Sequence, residues 1–157
     1  MTTLHVCAID PVRLDAVRAA VHDESGNPLV ESVAGGWEPL RCCLRKATVG
    51  ESIALISFSP FAVPSPWAET GPVFIHARSC AGYGTPDVLP ADLRTGPRVL
   101  RTYHADGSLD YDDITVVGPG EDIEVPLREL LGRSPVATVH VRALAAQCFT
   151  YAVTRRS

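Results

Sequence analysis

The sequence predicts an α+β fold, a mostly antiparallel β-sheet or partly open barrel with two short helices. Three observations carry this expectation. Short segments of alternating or β-branched residues recur along the chain. Gly- and Pro-bearing turns separate them. Only two stretches show helical spacing. No internal repeat and no linker interrupts the pattern, so residues 1–157 are expected to form one domain.

Residues 3–9 (TLHVCAI) alternate as an opening strand. Asp10-Pro11 starts a helix, because an Asp carboxylate can accept first-turn N–H groups and Pro is tolerated there. Val12, Ala16, Ala19 and Ala20 continue it at helical spacing, up to the turn Ser25-Gly26-Asn27-Pro28. Residues 34–39 read as loop. Ser52–Phe58 (SIALISF) is a strong strand, broken by Pro60, Pro64 and Pro66. Pro72–Arg78 (PVFIHAR) is a second, and a short helical turn is expected around Ala91–Arg94. Arg98–His104 runs into the hairpin tip Asp106-Gly107, and the chain returns through Leu109–Val117. Pro126–Gly132 places Leu127, Leu130 and Leu131 on one helical face and stops at glycine. Val136–Leu144 and Cys148–Thr154 close the fold as strands.

Composition bounds the function. Hydrophobic residues make up 46% and charged residues 20%, the balance of a chain that can bury a core. The net charge of −4 lacks the clustered basic face of a nucleic-acid binder, so no nucleic-acid partner is expected. Five cysteines without framework spacing, two of them adjacent, point to a reducing compartment. No basic flank followed by an apolar run opens the chain, and no stretch reaches the roughly 18–20 apolar residues of a membrane span. A cytoplasmic protein without a membrane partner is the expectation.

Four blocks carry a resemblance: CCLRKATVGESIALISFSPF, SPWAETGPVFIHARSC, PADLRTGPRVLRTYHADGSLDYDD and VATVHVRALAAQCFTYAVTRR. In order and spacing, over about residues 38–156, they resemble the bacterial domain of unknown function 1203 family. Cys42-Cys43 stands where that family often has Cys-Arg, and Arg142-Ala143 where it often has Asn-Ala. The resemblance implies a one-domain cytosolic protein and no particular chemistry.

Alternation along the strands selects the candidate site. Thr138, His140 and Arg142 share one strand face; Phe74, His76 and Arg78 share another; Arg101 and Tyr103 lie on a third with Val99. If these strands are neighbours, Arg101, Tyr103, Arg142, His76 and His140 form one patch suited to a carboxylate or phosphate. Trp67 and Glu69, in the Pro-rich loop Pro64–Gly71, would stand at its mouth, and His76 or His140 would act as general base. The bland counterpart is a solvated outer sheet face. A small anionic metabolite is therefore the expected ligand.

Two other classes stand beside this reading. One is a protein-interaction or structural domain without catalysis, binding a partner or a second copy as a homo-oligomer such as a homodimer. The other is a metal- or thiol-dependent enzyme built on His76 and Cys80. His76, His104, His140, Glu69 and Cys80 are metal-ligating types. They lack His-x-His, Cys-x-x-Cys or helical His spacing, so no metal set is assigned and the cofactor is left open. As a nucleophile, Cys80 (after His76 and Arg78) ranks ahead of Cys42 (after Arg41). Cys148 reads as a small hydrophobe in the last strand.

Overall fold

Pro11 opens the first helix with a fixed φ that suits a first turn, and the Asp10 side chain accepts the Val12 N–H at 2.9 Å. The computed structural model describes residues 2–156. In chain order it contains β1 (Leu4–Cys7), α1 (Pro11–Ala20), β2 (Val30–Val33), β3 (Pro39–Leu40) and β4 (Arg45–Lys46). Then come β5 (Ser52–Phe58), β6 (Gly71–His76), a 3-10 turn (Ala91–Leu93), β7 (Arg98–Tyr103) and β8 (Thr115–Val117). The chain closes with α2 (Glu124–Leu131), β9 (Thr138–Ala143) and β10 (Phe149–Arg155).

The strands form two five-stranded sheets, and neither closes into a barrel. One is antiparallel throughout, ordered β1-β10-β9-β7-β8. The other is ordered β2-β5-β6-β3-β4 and contains one parallel pair, β3 with β6. Of the two expected forms the open sheet is the one found. The short strands β2, β3 and β4 escaped the sequence reading: β3 and β4 have two residues each, and all four residues of β2 are exposed, so no alternation marks them.

Two hydrophobic clusters hold the sheets. Leu127, Leu130 and Leu131 of α2 pack on Leu100, Val139, Val141, Tyr151 and Val153 of the first sheet. Tyr151 is fully buried with its hydroxyl donating to Leu93 O at 2.9 Å, so its ring adds burial without an orphaned polar group. In the second cluster Leu14 and Val17 of α1 join Ile53, Ile56, Val73 and Ile75, with Phe149 from the first sheet. Burying each such side chain contributes about 1.5–3 kcal/mol. Arg41, in the β3–β4 turn, ties the sheets together: its Nε donates to Phe149 O at 2.8 Å, beside the bulge where β10 shifts register against β9. Desolvation lowers the Arg41 pKa to about 10, which leaves it charged at neutral pH.

Candidate functional site

The sheet order divides the sequence-predicted residues between two places. β7 and β9 are neighbours, with Arg101 opposite His140, while β6 lies in the other sheet. Arg101, Tyr103, His140 and Arg142 therefore gather on one strand face, and His76 does not join them.

That strand face is not solvated. Tyr103, His140 and Arg142 are all buried. The loop after β5 covers them: the Phe61 ring lies 5.2 Å from both the Tyr103 and His140 rings. Further along the same loop, Glu69 bridges the two arginines, 2.8 Å from Arg101 Nη1 and 3.4 Å from Arg142 Nη1. Gln147 completes this end, taking Arg142 Nη1 on its backbone carbonyl at 3.0 Å. Several buried polar atoms have no partner among the described residues: Arg142 Nε and Nη2, His140 Nδ1 and the Tyr103 hydroxyl. A cleft of about 210 Å³ opens between Arg142, Glu69, Gln147, Phe58 and Phe149. A second cavity of about 310 Å³ is lined by Phe61, Tyr103, His104 and His140.

His140 is held neutral here. Burial, with the positive charges of Arg142 and Arg101, takes its pKa from the ordinary 6.5 down to about 3. A ring that refuses a proton until pH 3 is a weak base at neutral pH, so the arrangement suits hydrogen bonding better than proton abstraction.

The second gathering lies at the end of β6. His76 stands on the face opposite Val73 and Ile75, and its ring meets the β3–β4 turn and the loop that follows β6. Its Nδ1 is 3.4 Å from Cys42 Sγ and 3.8 Å from Cys43 Sγ. One ligand atom from each of Cys42, Cys43, His76 and Cys80 lies within 4.8 Å of the others. Nε2 of the same ring is 3.2 Å from Glu51 Oε1, and Arg45 pairs with that carboxylate through both Nη atoms at 2.6 and 3.0 Å. Hydrogen bonding from Arg45 and the Thr48 N–H holds the Glu51 carboxyl at about 2. Among the thiols, donation from Cys42 lowers the pKa of Cys43; that same hydrogen bond, with desolvation, raises Cys42, and desolvation raises Cys80. A shallow cleft of about 330 Å³, lined by Glu51, His76, Arg78, Ser79 and Cys80, opens beside them.

A family model described as protein of unknown function (DUF1203) matches residues 37–155. The chain belongs to that family. No curated protein and no solved structure matches it. The matched span contains every residue of both gatherings in this DUF1203 chain, and the family description carries no activity to transfer.

The other expected positions fall apart in space. Trp67 leaves the Arg142 cleft and donates Nε1–H to the Tyr111 hydroxyl at 3.1 Å. His104 pairs with Asp110 at 3.1 Å, so of the metal-ligating types singled out from the sequence only His76 and Cys80 meet. Arg41 does not tune Cys42, because its side chain turns toward β10; Arg45 supplies the nearby positive charge, on Cys43. Cys148 lies in the turn before β10, half-buried, and lines the Arg142 cleft instead of packing within the strand. Cys43 and Glu51 went unselected from the sequence. Their only signal was proximity along the chain to Cys42 and to the strand Ser52–Phe58, which does not specify a meeting with His76.

Proposed function

We propose that the chain binds a small anionic molecule, one bearing a carboxylate, in the cleft beside Arg142. The observation that carries this reading is Arg142 itself, 4% exposed, with Nε and Nη2 unpartnered among the described residues. Those two nitrogens form one edge of the planar guanidinium, the edge that engages both oxygens of a carboxylate. Leaving such donors bare in a buried place costs about 1–3 kcal/mol, which a bound anion would recover. Arg101 supplies a second cation, shared through Glu69.

Glu69 is the internal competitor. Its side chain is half-exposed on a loop, so a ligand carboxylate can displace it from the two arginines at little cost in packing. A cleft of about 210 Å³ admits a molecule of a few heavy atoms. Tyr103 and the neutral His140 offer uncharged hydrogen-bonding groups in the neighbouring cavity.

A thermal-shift titration with small organic carboxylates and inorganic phosphate tests the reading. A bound anion raises the melting temperature in step with its concentration, because it stabilises only the folded chain. The rise is expected to vanish in Arg142→Gln and to grow in Glu69→Gln, where the competing charge is gone. A rise that survives unchanged in both Arg142→Gln and Arg101→Gln would overturn it.

A further inference from the structure

We infer that Cys42, Cys43, His76 and Cys80 form a closed tetrahedral zinc site that fastens the β3–β4 turn and the loop after β6 to the end of β6. The inference stands on a different part of the molecule from Arg142 and does not depend on anion binding there.

The geometry is that of a single ion. Zinc–sulfur bonds of about 2.3 Å and zinc–nitrogen bonds of about 2.0 Å, at tetrahedral angles, separate sulfur from sulfur by about 3.8 Å and sulfur from nitrogen by about 3.5 Å. The two Cys Sγ to His76 Nδ1 distances, 3.4 and 3.8 Å, bracket the second value. All four ligand atoms lie within 4.8 Å of one another, room for one ion and not for a cluster of several irons. Three sulfurs and one imidazole select a soft, tetrahedral metal over calcium or magnesium.

The surroundings match a metal-bound imidazole. With Nδ1 on the ion, the ring proton must sit on Nε2, and Nε2 faces Glu51 Oε1 at 3.2 Å. Arg45 Nη2 is 3.1 Å from that nitrogen as well, and the nitrogen can donate to Glu51 or accept from Arg45, not both. Metal on Nδ1 settles the choice for Glu51 and leaves Arg45 to its carboxylate. The sulfurs also receive support, since the His76 N–H donates to Cys42 Sγ at 3.3 Å and the Gly82 N–H to Cys80. Three thiolates and a dication leave one net negative charge, which Arg45 faces.

Local backbone brings the ligands together. Leu44, at φ 56, lets the turn after Cys42 and Cys43 close. Gly82, at φ +90, lets the Cys80 loop close on the start of α1, where a Cβ would meet Pro11 Cγ at 2.9 Å, and it lies beside the Cys42 carbonyl. With four protein ligands no position is left for substrate, so the site is structural and not catalytic.

The test uses the full chain, reduced, incubated with Zn²⁺ or Co²⁺ and desalted. One zinc per chain is expected to be retained, and Co²⁺ to give an intense thiolate-to-metal absorption with tetrahedral d–d bands. Zinc is expected to shield Cys42, Cys43 and Cys80 from alkylation while Cys7 and Cys148 stay reactive. Cys80→Ser should weaken zinc binding severely, Glu51→Gln by about 10–100-fold, and Cys148→Ser not at all. Zinc should raise the melting temperature of the unmutated chain and not that of Cys80→Ser. Failure of the reduced chain to retain zinc, or a cobalt spectrum without thiolate absorption, overturns the inference, and both readouts use the unmutated chain, so they hold even where a variant does not fold. Zinc retained equally by Cys43→Ser and Cys80→Ser would overturn it too, by placing the metal elsewhere.

Discussion

At the scale of single residues, charge and burial conflict most sharply at His140. Its ring lies between Tyr103, Phe61 and Phe149, with Arg142 and Arg101 close enough to oppose a proton. The unfolded chain takes up a proton near pH 6.5, while the folded one refuses it down to about pH 3. In that window the unfolded state binds more protons. Stability is therefore full above pH 6.5 and falls as the pH drops toward 3, by at most about 1.4 kcal/mol per pH unit. His140→Leu is expected to flatten that acid slope, read as the change in urea midpoint between pH 7 and pH 4.5. A slope unchanged in the variant would show that His140 is not its source. Glu51 adds a smaller loss at lower pH: its folded pKa of about 2 lies below its ordinary 4.5, so its contribution disappears between those values.

Among the elements, the approach of two turns to one another sets the start of the β7–β8 pair. Gly96 donates to Glu121 O at 2.8 Å and accepts from the Gly120 N–H at 3.1 Å. A Cβ on Gly96 would lie 1.9 Å from Gly118 O and 2.7 Å from Val117 O. Those are backbone atoms of β8 and its turn and cannot rotate away. Gly96→Ala is expected to destabilise the chain by about 3 kcal/mol, the upper end of ordinary overpacking costs, measured as a drop in the urea midpoint. Gly118-Pro119-Gly120 and the loop ending at Pro97 each read as a turn in the sequence. Their contact did not, because it joins positions more than twenty residues apart.

At the scale of the whole molecule, Arg41 is the clearest tie between the sheets. It is 3% exposed, has no carboxylate partner among the described residues, and holds the Phe149 and Pro39 carbonyls at 2.8 and 2.6 Å. Arg41→Leu keeps much of the packed volume and strands both carbonyls, at a cost of about 2–4 kcal/mol. Denaturant unfolding is expected to show a lower midpoint with an unchanged slope. A changed slope would point instead to the sheets parting separately. None of the described helices is long and apolar enough to cross a membrane.

Local spacing picked Val12, Ala16, Ala19 and Ala20 for α1, yet all four are exposed, and Leu14 and Val17 are the buried pair. The local pattern by itself determined the two helices, the seven longer segments of extended chain and the two faces of β6, β7 and β9. Those features follow from periods of 2 and 3.6 residues and from turn residues, and each is legible within about ten positions. The faces of β7 and β9 were legible in this way, and so was the meeting of Arg101, Tyr103, His140 and Arg142 once those strands are neighbours. Tertiary structure alone decided which strands are neighbours, that a loop covers the polar face of β9, and that His76 leaves the arginines for Cys42, Cys43 and Cys80. The reason is physical: strand order and loop packing come from burying apolar surface between residues distant in sequence, which leaves no periodic mark on the chain. Cys43 and Glu51 joined their sites on those terms, and so did Gly96, whose missing side chain matters only because Gly118 comes to lie against it.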